Sequence, residues 1–268
     1  MTSHLDSIYP RHWAETWDRV GLVTGRPDGP ADHVHLAVDL TPAVLAEAVD
    51  LGATMIVTHH PLFLRGVSSL DPLADYKGEI VHTLIEKRMG LYTAHTNADV
   101  ADPGVSDALA ARLGVTDLAP LQPLSGEEHE GTGRGIGRVG RLPEPMTLAE
   151  FARHAAASLP ATTWGVRVAG DPGRQVSSVA VSGGAGDSYL KNAAAAGVDV
   201  YLTADLRHHP ASEFTENGGP ALADAAHWAT ERPWLDTLAA QLSDVAETVT
   251  LSDIPTDPWT IHAEADHQ

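Results

Sequence analysis

A strand-favouring run that ends in two adjacent histidines constrains the fold more than any other stretch of this chain. The apolar residues 55–57 lead through Thr58 to His59 and His60, and Pro61 then stops regular structure. In α/β proteins, ligands bind in the crevice beyond the carboxyl ends of the strands. We therefore interpret His59 and His60 as metal ligands at a strand end. The alternative is a polar loop without a bound ion.

The residues before this run complete a βαβ unit. The pattern predicts a buried strand over 33–40 and a helix over 42–51 with an apolar face. Thr41 suits the N-cap of that helix and Gly52 suits its C-terminal turn. Together with a strand at 55–58, these elements predict two parallel strands joined by a helix.

A second strand end follows a helix with apolar spacing over 78–88. Residues 91–94 read as a short strand that leads into His95 and, four residues later, Asp99. A helix over 106–113 comes next. The sequence thus predicts a second strand end that leads into polar residues in a loop.

The chain then repeats this order. A strand at 179–181, a helix over 189–196 and a strand at 198–203 match the first unit at a shift of 145 residues, with Gly197 for Gly52 and Thr203 for Thr58. Such a repeat predicts two similar α/β lobes that face each other.

The end of the repeat carries its own polar residues. His227 and Glu231 have the spacing of His95 and Asp99. Where the first lobe has His59 and His60, however, the second has Ala204 and Asp205. We therefore expect the two lobes to share a fold but to carry different side chains at the equivalent strand ends.

The remaining segments are less regular. Residues 116–142 lose their periodicity and are rich in glycine, which predicts a linker with one irregular strand at 137–141. The string 131–135 lacks the lysine of a phosphate loop. The other predicted elements are a short helix ending near Trp17, a helix over 147–159 with a capping box, a helix over 233–242 and a strand at 248–251. The predicted domains are an N-terminal lobe at 1–125, a C-terminal lobe at 126–252 and a flexible acidic tail at 253–268.

Composition excludes several classes of function. The 268 residues contain no cysteine, so disulfides, thiolate zinc sites and cysteine nucleophiles are excluded, and a metal must bind through nitrogen and oxygen. A net charge of −19 argues against a broad basic surface for nucleic acid. The chain shows neither a leader-like N-terminus nor an apolar stretch of about 20 residues, so we expect a cytoplasmic protein without a membrane span.

Five strand-end residues form the candidate metal site. They are His59, His60, Asp99, His227 and Glu231. Imidazoles and carboxylates suit zinc, iron, manganese, cobalt or nickel, whereas calcium prefers oxygen alone. Because adjacent side chains diverge at a strand end, His59 and His60 are expected to serve one ion each, with Asp99 able to bridge. Two ions about 3.5–4 Å apart lower the pKa of a bound water toward ~7 and polarise a carbonyl or phosphoryl oxygen, which predicts hydrolysis.

Other interpretations of the same residues remain open. His227 could cap the helix that begins near residue 233, and Glu231 could be a first-turn acid favoured by the helix dipole. The sequence has no Gly-x-Ser-x-Gly elbow of a serine hydrolase and no dinucleotide-binding fingerprint after the first strand.

The order of several short motifs resembles the Nif-three-like family, whose members are labelled GTP cyclohydrolase I type 2 homologues or dinuclear metal-centre hexameric proteins. The resemblance covers about residues 8–245. The motifs that carry it are residues 17–22, Asp39, residues 58–62, residues 95–99, residues 203–205 and residues 227–231.

This resemblance implies a two-lobed α/β protein assembled as a toroidal homohexamer, with two divalent metal ions per chain between the lobes. Zinc, iron or manganese are the ions we expect. The ligands of the family fall on the same five residues, His59, His60, Asp99, His227 and Glu231. His95 would lie beside the site, where it would orient a ligand. We expect His95 or a carboxylate of the site to handle protons.

Three positions depart from the family pattern. Arg19 replaces an asparagine, and Ala204 and Ala226 replace glycines. Alanine is small enough for the ligand geometry, but it would not fit a backbone angle open only to glycine. The longer family members carry an inserted domain in mid-chain, and this sequence resembles the short form.

The functional hypothesis is a dinuclear metal-dependent hydrolase in which metal-activated water attacks a small-molecule substrate. The family label implies GTP, with opening of its imidazole ring, or a related cyclic amide or phosphoester. Arg19, Arg65 and Arg207 are the candidate phosphate contacts. The alternative hypothesis is a non-enzymatic metal-binding or regulatory scaffold.

Overall fold

The structure is a computed structural model, and it describes residues 1–263. The chain divides into two compact units. The first unit comprises Met1–Ala101 and Leu235–Thr256, and the second comprises Asp102–Trp234 and the described residues from Asp257 onward. This division differs from the predicted domains 1–125 and 126–252 at two places: the first unit already ends at Ala101, and the chain returns to it at Leu235.

The chain alternates strands and helices twice, once in each unit. The strands are β1 (Gly21–Thr24), β2 (His33–Ala37), β3 (Met55–Thr58), β4 (Gly90–Thr93), β5 (Thr116–Pro123), β6 (Gly135–Thr147), β7 (Val166–Ala169), β8 (Gln175–Ala185), β9 (Val200–Ala204), β10 (Ala221–Ala225) and β11 (Thr248–Leu251). The α-helices are α1 (Thr2–Ile8), α2 (Pro42–Asp50), α3 (Tyr76–Glu86), α4 (Thr96–Asp99), α5 (Val105–Arg112), α6 (Leu148–Ser158), α7 (Leu190–Ala196), α8 (His208–Glu216), α9 (His227–Glu231) and α10 (Trp234–Leu242).

The first unit is built on a five-stranded sheet in the order β1-β4-β3-β2-β11. Strands β11, β2, β3 and β4 run parallel, and β1 is the antiparallel edge. All of β3 is buried, as expected for a strand inside a parallel sheet. Val44 of α2 and Leu84 of α3 pack with Ile56 in the core. Because the parallel strands end at one edge of the sheet, the residues after β2, β3 and β4 lie close together.

The second unit contains a six-stranded sheet in the order β5-β6-β8-β9-β10-β7. Strands β8, β9 and β10 run parallel, β7 pairs antiparallel with β10, and β6 pairs antiparallel with both β8 and β5. Leu190 and Ala193 of α7 pack with Tyr201 of β9 and Leu222 of β10. This unit therefore adds a β-hairpin to the same parallel core.

The predicted α/β class with two similar lobes is confirmed. Each unit has three parallel strands joined by helices, with an antiparallel strand beside the third. The aligned glycines Gly52 and Gly197 both adopt left-handed backbone, at φ 71° and 65°. The aligned threonines Thr58 and Thr203 are both fully buried. In each unit the third parallel strand leads into a one-turn helix, α4 or α9.

Two local predictions are wrong. The helix expected to end near Trp17 is instead α1, which ends at Ile8, followed by a single 3₁₀ turn at Arg11–Trp13. The expected linker at 116–142 contains the paired strands β5 and β6. A Cβ on Gly135 or Gly140 would overlap a backbone carbonyl oxygen of β5. Close approach of the strands therefore requires these glycines, and they mask the alternation of a strand.

The predicted flexible tail at 253–268 makes specific contacts at its start. Ser252 donates its backbone N–H to Leu36, and the hydroxyl of Thr256 donates to the Asp39 carboxylate. Ile254 packs against the core of the first unit. These contacts hold the chain through Thr256, and residues 264–268 of the predicted tail lie outside the described residues. Within residues 1–263, no helix combines the length and apolar character needed to cross a membrane.

Candidate metal centre

Three histidines come together in the first unit. His59 and His60 directly follow β3, and His95 lies two residues after the end of β4. Their ligand nitrogens all lie within 4.8 Å of one another. The ring centroids of His59 and His60 are 5.1 Å apart, so these neighbouring side chains diverge less than we expected. The three residues thus form a cluster that could hold a metal ion.

All three imidazoles are anchored in the same way. Each bonds an oxygen through Nδ1: His59 bonds the carbonyl of Ala94 at 3.0 Å, His60 the carboxylate of Asp39 at 2.7 Å, and His95 the carboxylate of Asp18 at 2.9 Å. A carbonyl oxygen can only accept, so Nδ1 of His59 carries the hydrogen. Histidines that bind a metal through Nε2 are typically anchored through Nδ1 in this way, because the anchor fixes the tautomer and the ring orientation.

Asp18, the anchor of His95, accepts several hydrogen bonds. Its carboxylate accepts hydrogen bonds from Nδ1 of His95, from the backbone N–H and hydroxyl of Thr96, at 3.0 and 2.5 Å, and from the N–H of Arg19, at 2.7 Å. Burial raises the pKa of Asp18, but the hydrogen bonds from His95 and Thr96 outweigh burial and hold that pKa well below its usual range. Asp18 is therefore charged when it orients His95.

Asp99, a predicted ligand, lies beside the three histidines in the first unit. It ends the short helix α4, which begins immediately after His95. Its Oδ1 lies 3.7 Å from Nε2 of His59, and its side chain is partly exposed. A carboxylate beside an anchored imidazole is a donor set that suits a transition metal.

The remaining predicted ligands, His227 and Glu231, form a pair in the second unit. They stand one turn apart on α9, with Nε2 of His227 3.0 Å from Oε1 of Glu231. Nδ1 of His227 bonds Oδ2 of Asp205 at 2.7 Å. Burial lowers the pKa of His227, but the charges and hydrogen bonds of Glu231 and Asp205 outweigh it and raise the pKa to about 11. The surroundings of His227 thus favour a positive charge.

Two unusual backbone positions support this pair. Gly184 has φ 65°, and a Cβ there would overlap Oε1 of Glu231 and lie 3.0 Å from Nε2 of His227. Asp205 has φ 56°, a left-handed conformation that few residues other than glycine adopt. Glu231 ends α9, so it is not a first-turn acid of the following helix.

The departures from the family pattern are accommodated locally. Ala204 lies in β9 and is not among the described residues with positive φ, and Ala226 has φ −70°. Neither position therefore needs glycine. The guanidinium of Arg19 donates to the backbone carbonyls of Trp17 and Asp18, at 3.3 and 2.7 Å.

Sequence reasoning missed the anchoring roles of Asp18 and Asp39, although both residues belong to the recognised motifs. It also missed Asp257, which fell in the predicted tail. Burial and the charge of Asp205 raise the pKa of Asp257, whereas His227 lowers it, so Asp257 lies within electrostatic reach of this pair. The second histidine pair, His208 and His209, is exposed at the start of α8.

The fold and these clusters define an α/β protein with histidine and carboxylate groups that could hold metal ions. The family model Duf34/NIF3 (NGG1p interacting factor 3) matches residues 1–258, and the chain belongs to this family.

Relatives agree with this assignment over nearly the whole chain. A Streptomyces coelicolor protein named "GTP cyclohydrolase 1 type 2 homolog" is 51% identical, covering 96% of this chain and 92% of the relative. A Mycobacterium leprae protein of the same name is 36% identical, covering 97% and 94%. That alignment extends over 364 positions, so the relative carries residues that this chain of 268 lacks.

Solved structures show the same fold. A Bacillus cereus protein described as related to NIF3 superposes with a TM-score of 0.86 at 26% identity, covering 97% of each chain. The similarity supports the arrangement of strands and helices described above.

Proposed function

We propose that this protein is a dinuclear metal-dependent hydrolase that acts on a nucleotide or a related cyclic amide or phosphoester. Two divalent ions per chain, with zinc, iron or manganese the best candidates, would be held by His59, His60, Asp99, His227 and Glu231. The names of the relatives support the substrate class, and the side chains described above support the metal ions.

The observation that carries this proposal is the common anchoring of the histidines. In His59, His60, His95 and His227 an oxygen partner bonds Nδ1, so Nε2 is the ring nitrogen that lies away from this partner. In His227 this Nε2 lies 3.0 Å from Oε1 of Glu231, which is another proposed ligand. Three of the four Nδ1 partners are carboxylates, which are typical partners of metal-bound histidines. Histidines that serve only packing have no reason to share one orientation. The donor set of nitrogen and carboxylate oxygen fits the proposed ions.

A bound divalent ion supplies Lewis acidity and lowers the pKa of a coordinated water. The chain supplies the groups around it. Asp39 and Asp205 orient His60 and His227, and Asp18 orients His95. With Nδ1 bonded to Asp18, His95 can take up or release a proton only through Nε2. We propose that His95 accepts the proton of the attacking water and returns it to the leaving group.

GTP is the first substrate to test, because it is the nucleotide in the names of the relatives. The structure limits the phosphate contacts expected from the sequence. Arg207 pairs with Asp187 at 2.6 Å, and Arg19 is held by backbone carbonyls, whereas Arg65 is exposed in the loop after Pro61. A triphosphate would therefore rely on the metal ions and on Arg65.

We also propose a homohexamer in the cytoplasm, as the family resemblance implies. Sedimentation of the purified protein should give six times the 28.3 kDa chain mass. A monomer or dimer at micromolar concentration would contradict the hexamer. Fluorescence of a tagged chain in cells should be diffuse and should not follow the membrane.

Metal content tests the site directly. After reconstitution with zinc, iron(II) or manganese, elemental analysis should find two ions per chain. Replacing His59 and His60 by alanine should remove at least one of them. The matched control replaces the second adjacent pair, His208 and His209, which is exposed on α8 and should leave the metal content unchanged. Fewer than one ion per chain in the wild type would reject the dinuclear site.

Turnover separates the enzyme from a scaffold. Metal-loaded protein should consume GTP, a cyclic amide or a phosphoester, and His227→Ala should abolish turnover while the oligomer stays intact. His95→Gln should lower the rate at full metal content, whereas loss of metal in this variant would make His95 a ligand. Full occupancy without turnover on any substrate would favour the non-enzymatic scaffold.

A further inference from the structure

A cavity of about 750 Å³ opens in the first unit away from the candidate metal ligands. It is lined by Thr24, Arg26, Leu84, Ile85, Arg88 and Met89, among others. Strand β4 begins at Gly90, beside this cavity, and ends at Thr93, before His95. The cavity therefore lies at the end of the sheet opposite to the three histidines.

Two arginines give the cavity its charge. In a chain of net charge −19, several arginines are bound to carboxylates: Arg11 to Asp6, Arg138 to Asp107, Arg167 to Asp224 and Arg207 to Asp187. Arg26 and Arg88, by contrast, have no ion pair with any carboxylate among residues 1–263. Both guanidinium groups remain available to an external anion.

Arg88 also occupies a conformation that disfavours it. It follows the C-cap of α3 with φ 58°, the left-handed position at which helices usually place glycine. The chain follows that rule at the equivalent positions after α2, α5 and α8, where Gly52, Gly114 and Gly218 have φ between 69° and 76°. An arginine in a conformation that glycine would adopt with less strain points to a role for its side chain.

Apart from Thr24 and the glycines, the rest of the lining consists of apolar side chains. Ile85 is 61% exposed, and Pro30 and Met89 contribute further carbon surface. Gly25 has φ 99°, and a Cβ there would lie 2.8 Å from Cα of Gly90, so the wall depends on close backbone contact. A cavity with two guanidinium groups and apolar walls matches a ligand with an anionic head and an apolar body.

We propose that Arg26 and Arg88 form a second binding site, separate from the metal centre, for a small organic anion that carries a phosphate or carboxylate group on an apolar body. The guanidinium groups bind the oxyanion, and Ile85, Met89 and Pro30 contact the body. The site does not depend on the proposed hydrolase activity.

Titration of the purified full-length protein with 1-naphthyl phosphate, followed by its fluorescence, tests this site. We expect saturable binding at one molecule per chain. The carboxylate analogue 1-naphthoate shows which oxyanion is preferred, and the neutral 1-naphthalenemethanol should bind at least tenfold more weakly than either anion. Equal binding of the neutral compound would overturn the role of the arginines.

Arg88→Gly is the decisive variant, because glycine adopts φ 58° without strain. Its affinity for 1-naphthyl phosphate should fall at least tenfold while its thermal midpoint stays equal to the wild type or rises. Arg26→Gln should lower the affinity similarly, and Arg153→Gln, an exposed arginine on α6, should not. Unchanged affinity in the variants of both Arg26 and Arg88 would reject the proposal.

Discussion

Asp205 accepts a hydrogen bond from Nδ1 of His227 at 2.7 Å while its own backbone is left-handed, at φ 56°. Aspartate tolerates this conformation better than most residues, but not as well as glycine. The strain therefore coincides with a carboxylate that orients a proposed metal ligand. The residue of the first unit that aligns with Asp205 is His60, and Asp39 is the anchor of His60.

We predict that Asp205→Gly separates metal binding from stability. Glycine keeps the backbone angle but removes the anchor of His227, and loss of such an anchor lowers metal affinity about 10–100-fold. The urea midpoint of the metal-free protein should change little, because relief of the left-handed strain offsets the lost hydrogen bond to His227. Competition with a chelator measures the affinity, and equal affinity in both proteins would show that Asp205 does not orient His227.

Gly184→Ala should damage the site by direct overlap. The new Cβ would occupy the space of Oε1 of Glu231 and press on Nε2 of His227. We expect at least one ion per chain to be lost in elemental analysis.

Gly52→Ala is the matched control for this variant. Gly52 has a similar left-handed angle, φ 71°, but a Cβ there meets nothing within 4 Å. It should cost about 1 kcal/mol of unfolding free energy from backbone strain alone and keep its full metal content. Equal metal loss in both variants would attribute the effect to strain and not to the contact with Glu231.

The buried pair Arg138–Asp107 should dominate the stability of the second unit. Arg138 in β6 is 2% exposed, and its guanidinium makes two hydrogen bonds to Asp107 of α5, at 2.7 and 2.6 Å. Replacing Arg138 by methionine leaves the largely buried Asp107 without this countercharge, and breaking such a pair costs about 3–5 kcal/mol. Urea unfolding measures the loss, and a change below about 1 kcal/mol would contradict it.

The sequence predicted the parts of the fold that follow local patterns. The buried run 55–57, the helix caps at Thr41 and Gly52, and the second copy of this unit all depend on residues close in the chain. The same patterns identified His59, His60 and His95 at strand ends, because parallel strands place their carboxyl ends at one edge.

Features that depend on distant contacts could not be read in the same way. The glycines of β6 resemble a linker until β5 lies against them, and β10, with three alanines in five residues, lacks a strong apolar signal. The sequence shows that Asp18 and Asp39 are present in the motifs. It does not show which histidine ring nitrogen each carboxylate bonds. The return of the chain to pair β11 with β2 likewise depends on a contact across more than 200 residues.

Asp199 provides a pH-dependent test outside the metal centre. Its carboxylate accepts the N–H groups of Ser177 and Ser178 and the hydroxyl of Ser178, at 2.8–2.9 Å. Burial raises the pKa of Asp199, but these hydrogen bonds outweigh it and lower the pKa below its ordinary value of 3.8. A carboxyl whose pKa is lower in the folded state stabilises the protein above its unfolded pKa, and this contribution is lost as the pH falls through the folded pKa.

Asp199→Asn should therefore cost about 1–2 kcal/mol of unfolding free energy at pH 7, the size expected for hydrogen bonds to a charged group. The difference from the wild type should shrink as the pH falls below 3.8, because protonated aspartate and asparagine then bond alike. Urea unfolding between pH 7 and pH 3 measures both effects, with the exposed Asp28→Asn as a control near zero. A difference that stays constant over this range would mean that the loss at Asp199 is steric and that the charge contributes nothing.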